Sequence, residues 1–138
     1  MVKPICTDLL FLQRKSVEAT EADRILFTDM YETLRAQPRM GECVGLAANM
    51  IGASKRVIAV GFKYFDMVMV NPEILETSGP YMAVESCPSL KGTRQVRRFE
   101  KITVRFLDTD FKEHTKTYTG PEAQIIQHEC DHLEGRII

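Results

Sequence analysis

Two histidines and a glutamate near the end of the chain have the spacing of a metal-binding helix. His128, Glu129 and His132 form the pattern H-E-x-x-H. On an α-helix the two histidines lie about 40° apart and one turn from each other, so both imidazoles can reach one ion. Glu129 lies about 60° from His132, where it can reach a water molecule on the ion without being a ligand. The pattern predicts a metal site, and the alternative is a solvated helix face.

A catalytic ion needs about three protein ligands and an open position, so a third ligand must join the two histidines. Only six residues follow His132, and Glu134 among them is too close on the same helix. This lack of a downstream ligand disfavours a zinc endopeptidase. Upstream, His114 lies in a charged strand, whereas Cys87 lies in the polar, turn-prone stretch E-S-C-P-S. We therefore predict that Cys87 joins His128 and His132 as the third ligand.

The helix that carries the two histidines has clear ends in the sequence. Pro121 suits a first helical position and Gly135 a position just past the last turn, so we expect this helix at about 121–134. An earlier helix is expected over 20–37, where Thr20 can cap the first turn. The two helices would then lie near the two ends of the chain.

Short β-rich segments separate the two helices. Strands are predicted at 56–60, 67–70, 101–108 and 113–118, and the small, nearly uncharged segment 43–52 predicts a loop or a buried strand. Asn71-Pro72 is expected to end the second of these strands. The turn at 108–110 should return 113–118 beside 101–108. The sum is an α+β fold with short, mostly antiparallel strands.

The composition limits the classes of function. A chain of 138 residues predicts a single domain over 1–138. With 44% hydrophobic and 27% charged residues and a net charge of −1, the chain gives no indication of a nucleic-acid or membrane-surface partner. The apolar stretch at the start of the chain is too short and too polar to predict a signal peptide, and no apolar run approaches the about 20 residues that would predict a membrane span. We therefore expect a cytoplasmic protein whose cysteines stay reduced.

Three segments resemble, in the right order, the motifs of the peptide deformylase family, G-x-G-L-A-A-x-Q, E-G-C-L-S and Q-H-E-x-D-H-L-x-G. Here they read C-V-G-L-A-A-N-M, E-S-C-P-S and Q-H-E-C-D-H-L-E-G. The resemblance extends over nearly the whole chain. It implies the α+β fold of that family, with short, mostly antiparallel strands packed around a central helix that bears H-E-x-x-H.

The resemblance also implies a chemistry and a substrate. One divalent metal would be bound, Fe²⁺ in the cell, replaceable by Zn²⁺ or Ni²⁺. Glu129 would take a proton from the attacking water and pass it to the leaving amine. The substrates would be N-formyl-methionyl peptides or nascent chains, giving formate and a free N-terminus. Gly45 and Glu42 would lie near the peptide-binding edge, and Gln124 and Ile125 near the methionine pocket.

The chain also departs from the family pattern. Met50 replaces the glutamine that closes the first motif, and Pro88 replaces the leucine after the cysteine. In the family, the glutamine amide and the leucine N–H stabilise the oxygen of the tetrahedral intermediate, but a thioether and a proline nitrogen cannot donate. Gln124 stands where the family has an apolar side chain. Two functions stay open: a deformylase with weakened activity, favoured by the intact Glu129, or a paralogue that binds metal or formylated peptide without useful turnover, favoured by the lost donors.

Overall fold

The computed structural model describes residues 1–38, 43–63, 65–87 and 91–136. Within these ranges the strands form one antiparallel sheet in the order β1-β2-β3-β4-β5, which is also their order in the chain. The strands are β1 (Val44–Ala47), β2 (Val57–Gly61), β3 (Asp66–Glu85), β4 (Arg94–Leu107) and β5 (Glu113–Thr119). The α-helices are α1 (Leu9–Leu12), α2 (Arg24–Ala36) and α3 (Gly120–Leu133), and 3₁₀ turns occupy Glu21–Asp23 and Ala48–Ile51. The predicted α+β class with mostly antiparallel strands is confirmed.

The predicted first helix is a short 3₁₀ turn followed by α2. Thr20 caps the turn, since its hydroxyl accepts from the N–H of Ala22 while its own N–H donates to the carboxylate of Asp23. The α-helix then begins at Arg24 and ends at Ala36. The preceding helix α1 was not predicted from the sequence.

Strand β3 does not end at Asn71-Pro72, and the prediction of a strand end there is wrong. The strand continues to Glu85, with a register shift between Val70 and Glu73 against β4. Asn71 has a positive φ of 50°, and its side-chain amide bonds both the N–H and the carbonyl of Ala19. A bulge of this kind lets a proline sit within a strand because it removes the need for a ladder N–H.

The β3–β4 hairpin is longer than its hydrophobic pattern suggests. Strand β4 begins at Arg94, well before the predicted 101, and pairs with β3 as far as Glu85. The segment 94–101 lacks an apolar strand pattern in the sequence, because it consists mainly of charged and polar residues, most of which are exposed. The extension matters because Glu85 and Arg98 belong to it.

Helix α3 packs against β1 and β4. Four of its side chains belong to the hydrophobic core: Ala123, Ile126, Cys130 and Leu133. Gly135 follows the helix with a positive φ of 80°. Among the described residues, no helix has the length and apolar character needed to cross a membrane.

Candidate metal centre and active site

Three side chains that are distant in the sequence converge at one buried point. One possible ligand atom each of Cys87, His128 and His132 lies within 4.8 Å of the others. The Nε2 atoms of the two histidines are 3.1 Å apart. Two nitrogens on a tetrahedral ion at about 2.1 Å would lie about 3.4 Å apart, so this spacing suits a shared ion. The donor set of one sulfur and two imidazoles fits a borderline transition metal.

Glu85 orients the first of these histidines. Its Oε1 lies 2.7 Å from Nδ1 of His128, and both side chains are almost fully buried. Because an ionised carboxylate can only accept, Nδ1 carries the proton in this contact and Nε2 of a neutral ring keeps its lone pair for a metal. Histidine ligands of metals are commonly held in this way.

Arg98 in turn holds Glu85. Its Nε and Nη2 donate to the two carboxylate oxygens at 2.9 and 2.7 Å, and its Nη1 donates to Asp131 at 2.6 Å. Burial alone would raise the pKa of Glu85, but the hydrogen bonds from His128 and Arg98 outweigh it and lower the pKa to about 2. Glu85 is therefore a fixed negative charge behind the histidine.

The two histidines differ in their electrostatic surroundings. Burial lowers the pKa of His132 to about 4, helped by the neighbouring His128. Burial also works against a charged His128, yet its hydrogen bonds to Cys87 and Glu85 and the charge of Glu129 raise its pKa to about 10. The negative groups thus favour a positive charge at this point, which is also what a divalent cation needs.

Glu129 lies beside the cluster, packed against β1. A Cβ on Gly45 would lie 2.7 Å from Oε2 of Glu129 and 2.7 Å from Cγ1 of Ile125, so only glycine fits between strand and helix. Oε1 of Glu129 is buried and has no hydrogen-bond partner within the described part of the chain. Burial raises the pKa of this carboxyl to about 7. A group with that pKa can both take and give a proton near neutral pH.

A cavity of about 360 Å³ borders Gly45 and Met50. Met50 lies in the 3₁₀ turn after β1, and its residue is only 1% exposed. A larger cavity of about 580 Å³ is lined by α2 and the β4–β5 turn, and none of its lining residues belongs to the candidate metal centre. The lining of the smaller cavity does not include Cys87, His128 or His132 either, but it includes Gly45, which packs against Glu129.

The other predicted site residues have separate positions. His114 bonds Asp108 and stacks on Phe106, and it does not belong to the three-residue cluster. Gln124 donates to Glu85 at 3.0 Å. Glu42 and Pro88, both named from the sequence, lie outside the described residues.

Sequence reasoning missed three residues that contact the site. Tyr81 donates to Gln124, Asp131 accepts from Arg98, and the side-chain amide of Asn49 donates to the carbonyl of His132 at 2.8 Å. Asp131 and Asn49 lie within two of the motifs quoted above, which is the one signal that pointed to them. Tyr81 lies in the unpredicted part of β3, four residues before Glu85 and on the same face of the strand.

Comparison with known proteins identifies the family. The sequence model described as polypeptide deformylase matches residues 3–138. The chain belongs to the peptide deformylase family. It is 48% identical to a peptide deformylase of Clostridium beijerinckii over the full length of both chains. It is 34% identical to one from Dictyoglomus thermophilum, covering 99% of this chain and 88% of that protein.

Solved deformylase structures have the same fold. A class I type b peptide deformylase from Acinetobacter baumannii, crystallised with the ligand K2U, superposes with a TM-score of 0.85 at 31% identity, over 99% of this chain and 97% of that one. The same enzyme bound to Met-Ala-Ser gives 0.85 at 29% identity, over 99% and 96%. The chain is thus an enzyme of the deformylase type. The comparisons lend no support to weakened activity and do not favour a role in binding without turnover.

Proposed function

We propose that this deformylase removes the formyl group from N-formyl-methionyl peptides and nascent chains, acting as one domain over 1–138 in the cytoplasm, where such chains are made. The observation that carries the proposal is the buried cluster of Cys87, His128 and His132 with Glu129 packed beside it. The Met-Ala-Ser complex of the Acinetobacter baumannii enzyme supports the substrate class, since such a peptide is what deformylation would leave.

In this proposal Cys87, His128 and His132 hold one divalent ion, Fe²⁺ in the cell, with Zn²⁺ or Ni²⁺ as substitutes. When bound, such an ion supplies Lewis-acid chemistry, polarising a carbonyl and activating water. The chain's own contribution to binding is orientation, because Glu85 fixes the ring of His128 and Asn49 fixes the backbone of His132.

Glu129 performs the proton transfers in this proposal. Its carboxylate takes a proton from the attacking water and delivers it to the amine nitrogen when the C–N bond of the formamide breaks. Its burial and its pKa of about 7 support this role, because general acid–base groups work best when their pKa lies near the operating pH. Gly45 supports it by leaving room for the carboxylate next to β1.

The substrate peptide would lie along β1. Within the described sheet β1 pairs with β2 alone, so its other edge offers backbone groups to an extended peptide. Gly45 and Ile125 would border the reacting end, beside the cavity lined by Met50. The family resemblance alone assigns Glu42 to the binding of the same peptide.

The decisive experiment measures formate release from formyl-Met-Ala-Ser by protein purified without oxygen and loaded with iron or nickel. Glu129→Gln is the impaired control, because it keeps the shape and loses the base. We expect the native protein to release formate at least about 100-fold faster than this variant. Fully metal-loaded native protein that releases no formate would overturn the proposal.

A finer proposal concerns the rate. Met50 lines the cavity beside Gly45, but its thioether side chain has no N–H to donate, and loss of one donor to the reacting oxygen costs about 10²–10³ in rate elsewhere. We expect Met50→Gln to raise kcat/KM, and Pro88→Leu to give a smaller gain. Met82→Gln, on an exposed position of β3, is the matched control. Equal kcat/KM for native protein and Met50→Gln would show that the missing donor does not limit this enzyme.

A further inference from the structure

Gln124 stands at the meeting point of α3 and β3. It lies one turn before His128, so both side chains are on the same face of α3. Tyr81 and Glu85 are likewise on one face of β3, since an even number of residues separates them. The two faces meet in hydrogen bonds: Glu85 bonds His128 at 2.7 Å and Gln124 at 3.0 Å, and Tyr81 bonds Gln124 at 3.3 Å.

The bond from Gln124 completes the coordination of Glu85. Oε1 accepts from Nη2 of Arg98 and Nδ1 of His128, and Oε2 accepts from Nε of Arg98 and Nε2 of Gln124. Each carboxylate oxygen therefore has two donors, which is the full capacity of an ionised carboxylate. A carboxylate held from four directions cannot rotate without breaking a buried hydrogen bond.

Tyr81 extends this arrangement by one step. Because the Glu85 carboxylate can only accept, the amide of Gln124 must turn its NH₂ group towards it and its oxygen away. That oxygen then accepts from the hydroxyl of Tyr81. Donation runs in one direction, from Tyr81 to Gln124 to Glu85, and hydrogen bonds aligned in this way strengthen one another.

We propose that Gln124, oriented by Tyr81, is a positioning residue that fixes His128 for metal binding by holding Glu85. The inference rests on the proposed function of the Cys87, His128 and His132 cluster. It assigns the polar side chain at 124 a place in the support of the metal centre, in contrast to a simple lining of the methionine pocket. Partners that orient a metal ligand from behind typically change metal affinity or activity about 10–100-fold when removed.

The test replaces the native ion with Co²⁺ and measures its visible absorption spectrum and its affinity by competition with a chelator. Gln124→Met removes the amide while keeping an unbranched side chain of similar length. Tyr81→Phe removes only the hydroxyl. Gln95→Met, at an exposed position of β4, and Tyr31→Phe, on α2, are the matched controls for loss of an amide and of a hydroxyl.

We expect Gln124→Met to weaken Co²⁺ binding about 10-fold and to change its spectrum. Tyr81→Phe should weaken binding by about 2-fold, and the double variant should match Gln124→Met, because coupled residues are non-additive. The two controls should match the native protein.

Native affinity and spectrum in Gln124→Met would overturn the inference, even if KM rises or thermal stability falls, since a pocket-lining or purely structural role predicts that result. If Gln124→Met does not fold, Tyr81→Phe decides, and native values in that variant overturn the inference. These readouts need no substrate. Absence of formate release by the native protein would therefore refute the proposed reaction while leaving the positioning result to be read separately.

Discussion

Two histidine–carboxylate pairs in the described part of the chain have contacts of nearly equal length, one through Nδ1 of His128 and one through Nε2 of His114. His128 and Glu85 are 2.7 Å apart, and His114 and Asp108 are 2.8 Å apart. The side chains of the first pair are 7% and 6% exposed, and those of the second are 37% and 34% exposed. A histidine–carboxylate hydrogen bond by itself therefore does not distinguish a metal centre from a surface turn.

The difference lies in what else each carboxylate holds. Glu85 also accepts hydrogen bonds from Arg98 and Gln124. It therefore fixes the ring of His128, whose Nε2 faces the imidazole of His132. Asp108 also accepts from the backbone N–H groups of Asp110 and Lys112, so it closes the turn between β4 and β5. Burial and a second imidazole make the first pair a candidate for metal chemistry, whereas the second serves a local turn.

Removal of a proposed ligand should give the largest difference between the buried pair and the exposed pair. We expect His128→Ala, His132→Ala and Cys87→Ser each to lose most of the bound metal and all measurable formate release. His114→Ala should keep one ion per chain. Metal content of the purified variants checks this expectation. A full complement of metal in Cys87→Ser, or its loss in His114→Ala, would contradict the assignment.

Loss of the proposed base should separate chemistry from metal binding. Glu129→Gln should retain the ion and lower kcat by about 10²–10⁴, the usual contribution of general acid–base catalysis. Glu113→Gln, beside His114 at the start of β5, is the corresponding change near the second pair and should leave kcat unchanged. Rates and metal content are measured on the same preparations, and a native rate in Glu129→Gln would remove Glu129 from the mechanism.

Neutralising Glu85 should lower the free energy of unfolding more than neutralising Asp108, because only Glu85 is buried. Glu85→Gln leaves the buried Arg98 with a weaker partner, and breaking a buried ion pair costs about 3–5 kcal/mol. Asp108→Asn should cost much less, because exposed pairs contribute little. Urea unfolding of the metal-free proteins compares the two losses. Equal losses would mean that burial does not separate the two pairs.

The smallest expected effect is the pH dependence of the exposed pair. The hydrogen bond to His114 and the N–H of Lys112 lower the pKa of Asp108 below its ordinary 3.8. A carboxyl with a lowered pKa stabilises the fold above its ordinary pKa and loses this contribution as the pH falls through the lowered value. The stability difference between native protein and Asp108→Asn should therefore be present at pH 6 and shrink below pH 3.8. A stability difference that grows as the pH falls would contradict this prediction.

The sequence predicted features that depend on local spacing. The periodicity of α3 indicates that His128 and His132 share a face, and the helix expected at 121–134 lies at Gly120–Leu133. The polar stretch around Cys87 pointed to the residue that the fold brings to them. Their role as ligands stays a prediction.

Contacts between residues that are far apart in the chain could not be predicted from the sequence. Asn71 looks like a strand end because its partner, Ala19, lies far away in the chain. In the sequence Gln124 is a polar side chain at a position where an apolar pocket is expected. The packing of α3 against the end of β3 brings it into hydrogen bonds with Glu85 and Tyr81. Likewise, nothing near Gly45 shows that Glu129 fills the space beside it.

The order of the strands has a consequence for how the enzyme assembles. Each strand pairs with its neighbour in the chain, so the sheet can form by successive local hairpins with little loop-closure entropy. The contact between Gly45 and Glu129 instead joins β1 to α3 across the whole sheet. We expect this docking of α3 to occur late in refolding. Because α3 carries His128 and His132 to Cys87, cobalt absorbance should then develop after the far-ultraviolet signal of the sheet. Simultaneous signals would indicate that the helix docks while the strands are still pairing.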